Sequence, residues 1–439
     1  MIEAVSGAIW GPFMLTVLAA VGLYFTVGTG FMLFRRFGSM FTLTLGTLFK
    51  GEKSRDGVSP FAATSTALAS CLGTGNIVGV ASALAMGGPG ALFWMWASAF
   101  LCMATKYAEV ALAIYYRRRS PDGGWSGGPM YYMERGLGWK WIAVLFSCVC
   151  LVSTMGTGNL AQIGAMSASL KSAFNVPPVL TGAVSALIVG LTVFGGIKGV
   201  SRVAERLVPF ISVLYAAGAF AVLFVNAGNI LPVFVDIFRS AFGLKQAAGG
   251  AAGFTVLRAM RFGAARGVFS NEAGMGSSPM AHAAANTDSA ARQGLWGALE
   301  VFIDTVVLCT LTGLVILVSG AYRPGEADTG EAFSGVFGAG GAGFVAASVS
   351  LFAIVSVMGW SCYGEACCRY LFGHKKLPLT VYRWVYLLMI PVGAVLGMDR
   401  IWALSDIANS LIMLPNLLAV TALSGKVFAI TKREFVSRL

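Results

Sequence analysis

Apolar residues in this chain run in long uncharged blocks, with the charges gathered between them. Residues 4–34 and 57–105 contain no Asp, Glu, Lys or Arg. A bilayer span takes about 20 apolar residues, so the second block is too long for one span. The turn signal Gly87-Gly88-Pro89-Gly90 divides it. Further apolar segments lie at 141–170, 172–197, 207–229, 254–285, 293–320, 332–364, 378–397 and 401–425, which brings the expected count to 11 transmembrane helices. The segment at 254–285 is the weakest of them. Residues 230–245 follow another pattern. Phe234, Phe238 and Phe242 recur at helical spacing with Asp236, Arg239 and Lys245 interleaved, which predicts an outer amphipathic helix.

Composition agrees with an all-α integral membrane protein. Only 11% of residues are charged, against about 25% in soluble domains, and mean hydropathy is +0.76. A soluble enzyme is excluded on that ground. The 56 glycines suit close helix packing in lipid. A net charge of +12 would point to nucleic acid in a soluble protein. Here the basic residues cluster in alternate loops: Arg35, Arg36, Lys50, Lys53 and Arg55; Arg117, Arg118, Arg119, Arg135 and Lys140; Lys198, Arg202 and Arg206; Arg369, Lys375 and Lys376; and the tail residues Lys426, Lys432, Arg433 and Arg438. That alternation predicts an odd span count, with the N-terminus outside and the C-terminus in the cytoplasm of a bacterial or archaeal cell. Arg258 and Arg261 fit it less well, because they fall at the expected outer end of the seventh span. The first apolar run lacks a basic leader and reads as a retained span.

Several chemistries are disfavoured. Two histidines, His282 and His374, cannot build a His-rich metal site, and the 8 cysteines form no C-x-x-C pair. There is no P-loop, no H-E-x-x-H and no G-x-S-x-G. No organic cofactor, no catalytic residue, no nucleic-acid partner and no obligate protein partner are expected.

The candidate chemistry lies where apolar runs are interrupted. The second span contains Ser70-Cys71-Leu72-Gly73-Thr74-Gly75-Asn76, and the seventh contains Ser270-Asn271-Glu272-Ala273-Gly274-Met275-Gly276-Ser277. Backbone freed at that depth needs protein, water or a ligand as partner. Carbonyls bind cations, and N–H groups at a half-helix end bind anions. If the first span (4–34) is an extra N-terminal helix, residues 57–229 and 254–425 form two sets of five, each opening on its broken helix. Spans 2 and 7 then enter from opposite sides, which is the pattern of a 5+5 inverted repeat within a single transporter domain. Thr157, Asn159 and Gln162 in span 4 and Ser356, Trp360 and Ser361 in span 9 are further polar or aromatic candidates, each also compatible with helix packing. Lys106 and Glu109 are spaced to pair on one helix. Glu272, Glu300, Asp304 and Asp406 are acids inside apolar runs, where an unpaired charge is costly.

Thr74-Gly75-Asn76, Gly127-Gly128-Pro129-Met130-Tyr131-Tyr132 and the block from Arg266 to Asp304 resemble the alanine or glycine:cation symporter family. The resemblance covers nearly the whole chain. It implies a LeuT-like fold and sodium-coupled uptake of a small neutral amino acid. By the same resemblance Thr74, Gly75 and Asn76 hold the substrate's carboxylate and ammonium. Gln162, Phe269, Asn271, Gly274 and Trp360 are expected around the pocket, and the carbonyls of Ala69 and Leu72 with the Ser356 hydroxyl are candidate sodium ligands. Proton coupling through Glu272 or Asp304 is the alternative, and a passive channel a weaker one.

Overall fold

The computed structural model describes residues 11–50, 58–121, 123–243, 252–396 and 398–435. The start of the first expected span, Lys53, Arg55, Lys245 and Arg438 lie outside the described residues, as does the side chain of Asp406.

The described chain is helical apart from two two-stranded hairpins. The principal helices are α1 (Pro12–Gly28), α2 (Pro60–Cys71), α3 (Val78–Gly87), α4 (Gly90–Tyr116), α5 (Pro129–Leu137), α6 (Lys140–Phe174), α7 (Pro178–Val193), α8 (Gly196–Val225), α9 (Ala227–Ala241), α10 (Ala252–Asn271), α11 (Pro279–His282), α12 (Ala290–Val318), α13 (Thr329–Phe337), α14 (Gly340–Phe372), α15 (Lys376–Val395), α16 (Met398–Ala422) and α17 (Ser424–Phe435). Proline stands in the first turn of α1, α2, α5, α7 and α11, where its missing N–H costs nothing. Ser59 caps α2, its Oγ accepting the N–H of Ala62 at 3.0 Å.

Among the described residues, 6 helices are long and apolar enough to cross a membrane, or up to 8 when each of two bent pairs counts as one span. α1 and α7 are shorter apolar helices. The expected eleven is not reached on this criterion. In particular, α10 carries Arg258, Arg261 and Arg266. Several helices outrun the apolar segments that marked them. α4 continues to Tyr116, and α8 begins at Gly196 with Arg202, Glu205 and Arg206 on it. Hydropathy marks lipid contact, whereas helix hydrogen bonding continues into water. Of the segment 230–245, residues 230–241 lie in α9, which starts at Ala227, and Phe234 stacks on Trp96 of α4 with ring centroids 6.0 Å apart.

The outer surface carries large apolar side chains such as Leu191, Phe224 and Leu377, while Lys106, Glu109, Glu272, Glu300 and Asp304 are buried. The broken helices sit at the centre. α10 packs along α4 so closely that a Cβ on Gly263 would lie 2.2 Å from the Ala91 carbonyl oxygen. Small residues permit this contact, as expected for helices associating in lipid.

Candidate functional site

The first break begins where α2 ends at Cys71. The N–H of Gly73 turns back to the Cys71 carbonyl at 2.8 Å, a short 3₁₀ turn covers Thr74–Asn76, and the two halves of the span meet at a 60° bend. The second break follows Asn271. Glu272, Gly274 and Gly276 adopt left-handed backbone with φ of +55°, +85° and +76°, which ends α10 and delays helix until Pro279. The breaks face each other: a Cβ on Gly75 would meet Ser270 Cα at 3.5 Å and Phe269 Cδ1 at 3.6 Å.

Between them lies a small cavity lined by Ser70, Cys71, Gly75, Thr157, Gln162, Phe269, Ser270, Glu272 and Trp360. Two further irregular helices shape its wall. α6 winds as a π-helix over Gly156–Leu160. Gly158 lets Trp360 of α14 lie against that turn, since a Cβ there would stand 2.4 Å from the indole Cγ. Gln162 crosses to the first break, its Oε1 accepting the Thr74 N–H at 2.9 Å and the Thr74 hydroxyl at 3.1 Å.

Of the residues expected around the pocket, the structure brings Gly75, Gln162, Phe269 and Trp360 to the cavity wall. Thr74 stands behind Gln162. Asn76, Asn271 and Gly274 are placed elsewhere. Asn76 Nδ2 donates to Asp304 Oδ1 at 2.7 Å on α12, Asn271 Nδ2 donates to Thr305 Oγ1 at 3.1 Å, and Gly274 packs against Leu18, Met413 and Leu417. Spacing could not show this, because each side chain's direction depends on how the break unwinds. Ser70, Cys71, Ser270 and Glu272, named only as members of the two breaks, and Thr157, a candidate also compatible with packing, line the wall as well. Glu272 had one signal in the sequence, an acid in mid-span.

Oxygen-rich sites adjoin the cavity. Ser356 of α14 donates its hydroxyl to the Ser70 carbonyl at 2.8 Å, beside Ala69 and Leu72. On the other side Asp304 gathers Asn76, Ser270 at 3.0 Å and Thr305 at 2.7 Å. Asp304 lies in the π-helical stretch Phe302–Cys309 of α12, and Asn76 Oδ1 is buried there with no hydrogen-bond partner among the described residues.

The charges pair differently from their sequence spacing. The short contacts of Lys106 go beyond Glu109. This lysine donates to Glu300 at 3.3 Å and to Ser278 at 2.7 Å. Glu300 also meets His282 at 2.7 Å and accepts from the Cys71 thiol at 3.0 Å. It is fully buried. Glu300 and Asp304, four apart, serve different sets of partners, because the helix changes to π winding between them. Glu272 accepts from the Ser277 hydroxyl, while the Arg266 guanidinium lies over the Phe269 ring at 5.7 Å.

A family profile described as the sodium:alanine symporter family matches residues 1–438. The chain belongs to that family. It is 39% identical to the sodium/alanine symporter AgcS of Methanococcus maripaludis, over 98% of this chain and 96% of that one. It is 37% identical to the probable sodium/glutamine symporter GlnT of Bacillus subtilis, over 97% of this chain and 88% of that protein. The fold is similar to that of MhsT, solved in complex with L-phenylalanine, with a TM-score of 0.60 at 16% identity, covering 84% of this chain and 90% of that one. These comparisons establish the LeuT-like helical fold and a multi-pass membrane amino-acid:cation symporter, a transporter and not an enzyme.

Proposed function

We propose that this symporter couples sodium entry to uptake of a small neutral amino acid, alanine or glycine, by alternating access. One observation carries the reading: two helix breaks face each other across a small enclosed cavity walled by Gly75, Gln162, Phe269, Glu272 and Trp360. A zwitterion must leave water there, so both of its charges need partners. Backbone N–H groups of the first break, foremost that of Gly75 since Gln162 takes the Thr74 N–H, serve the carboxylate. Glu272, which lines the cavity at the second break, serves the ammonium. Phe269 and Trp360 are bulky walls, which favours a substrate whose side chain is a methyl group or a hydrogen.

Sodium is a hard cation and takes oxygen ligands, as calcium and magnesium do. The carbonyls of Ala69 and Leu72 with Ser356 Oγ are one set. Asn76 Oδ1, Asp304 and Ser270 are a second, and the unpartnered Asn76 oxygen supports it. A cation beside the substrate carboxylate lowers the cost of binding each, and that mutual effect is the coupling free energy. The N-terminus is assigned to the outside and the C-terminus to the cytoplasm.

Uptake of labelled alanine into proteoliposomes tests the proposal. An inward sodium gradient is expected to drive accumulation, with glycine competing. Equal accumulation when choline replaces sodium overturns the coupling ion, and accumulation driven by a pH step alone replaces it with the proton.

A further inference from the structure

Glu109 and the motif Gly127-Gly128-Pro129-Met130-Tyr131-Tyr132 play no part in the cavity wall, yet they meet at the second break. Glu109, on α4, is fully buried. Its Oε2 accepts the N–H of Gly274 at 3.2 Å, and its Oε1 accepts that of Gly276 at 3.1 Å. In the left-handed backbone of this stretch those N–H groups have left the helical ladder, and burial in a membrane protein forbids leaving them unpaired. One carboxylate satisfies both. Asn416, from α16, completes the arrangement: its Nδ2 donates to Glu109 Oε1 and, at 2.8 Å, to the Gly274 carbonyl. Its Oδ1 accepts the Tyr132 hydroxyl from α5. Pro129 of the same motif closes on the break, so that a Cβ on Gly276 would lie 2.4 Å from Pro129 Cγ. Three separate elements therefore clamp Gly274–Gly276 from a side that does not line the cavity.

We infer that Glu109 is the positioning residue of the second break, oriented by Asn416 and Tyr132. It holds the left-handed string in the one shape that turns Glu272 into the cavity while Phe269 and Ser270, just before it, face Gly75. The inference rests on the cavity being the substrate site. Glu109 touches neither substrate nor cation and acts through the backbone of the break. A carboxylate suits the task because both of its oxygens accept, whereas an amide offers one acceptor and brings donors that have nothing to meet. Hydrogen bonds to a charged acceptor are also the stronger kind.

The test joins a structural readout that needs no ligand to a transport readout that does. Glu109→Gln, Glu109→Ala and Tyr132→Phe are purified, checked for monodispersity and compared with wild type by amide hydrogen exchange and by alanine uptake in proteoliposomes. In Glu109→Gln, loss of one charged acceptor should speed exchange across residues 271–278 by about tenfold and raise the alanine KM by about tenfold. Vmax should stay near wild type, and exchange in α2 should not change. Tyr132→Phe should move both quantities the same way by about threefold, and it carries the test together with Glu109→Gln if Glu109→Ala does not fold. Unchanged exchange at 271–278 in Glu109→Gln overturns the inference. So does faster exchange with an unchanged KM, which would leave Glu109 a purely structural residue. If wild-type protein takes up no amino acid, the transport reading fails, and exchange still decides whether Glu109 holds the break.

Discussion

Asn76 shows how a residue's chemistry follows from its neighbours. It sits in the first break among groups expected to hold the substrate, but its amide turns to Asp304 and leaves Oδ1 buried with no partner among the described residues. An unmet acceptor beside a carboxylate favours a cation. Asn76→Ala should therefore raise the sodium concentration needed for half-maximal uptake by about tenfold, with a smaller effect on the alanine KM at saturating sodium. A sodium titration of uptake checks this, and a loss confined to alanine affinity would return Asn76 to the substrate. Gln162 is the opposite case. It lines the cavity and accepts two hydrogen bonds from Thr74. Gln162→Ala leaves the Thr74 N–H without that acceptor, a penalty of about 1–3 kcal/mol, so alanine affinity should fall by about tenfold or more while sodium dependence stays recognisable. Trp360→Ala opens the wall opposite Gly158 and should admit larger neutral amino acids in a competition assay. An unaltered substrate range would make Trp360 a packing residue.

At the scale of elements, the fixed points are buried charges that tie helices together. Lys106 of α4 and Glu300 of α12 are both fully buried, and His282 of α11 joins them. Removing one partner of a buried pair commonly costs about 3–5 kcal/mol, because it strands the other charge. Lys106→Met should lower the midpoint of thermal unfolding in detergent, and Lys106→Met with Glu300→Gln should recover part of the loss. Equal midpoints for wild type and the single variant would mean that water reaches this pair. These ties also mark what was legible in the sequence. Both breaks could be read from glycines and polar residues inside apolar runs, since lipid tolerates such a stretch only where something satisfies its backbone. The small side chains at Gly75 and the bulk at Phe269 and Trp360 gave the cavity its character. The partners of Lys106, Glu109 and Asn76 were not legible. Lys106 and Glu109 are one turn apart on α4, yet each reaches across to a different element. Asn271 is the last residue of α10, and its amide reaches Thr305 of another helix, a partner that sequence spacing does not name. The π-helical stretches of α6 and α12 left no clear pattern, although they place Thr157 at the cavity and Asp304 beside Asn76.

At the scale of the whole molecule, alternating access requires one end of the two broken helices to part while the other closes. The structure shows one end closed. Val58, just before α2, forms a parallel bridge with Ala285, just beyond α11, and the Asn286 N–H donates to the Val58 carbonyl at 2.8 Å. Arg117, following α4, fastens the same stretch by donating to the carbonyls of Ala283, Ala285 and Thr287 while its guanidinium stacks on Trp125, 4.0 Å from the ring centroid. On the topology drawn from the basic loops, this end faces the cytoplasm, and release of substrate there must break the bridge. Val58→Cys with Ala285→Cys should therefore form a disulfide that abolishes uptake, with activity restored by reductant. The native cysteines complicate that measurement, Cys148 most of all because it is exposed, so cross-linking has to be confirmed by mass before uptake is read. A quantitatively cross-linked protein that still accumulates alanine would show that these ends stay together throughout the cycle. The opening would then have to lie along another helix contact, with α2 and α11 moving as one body.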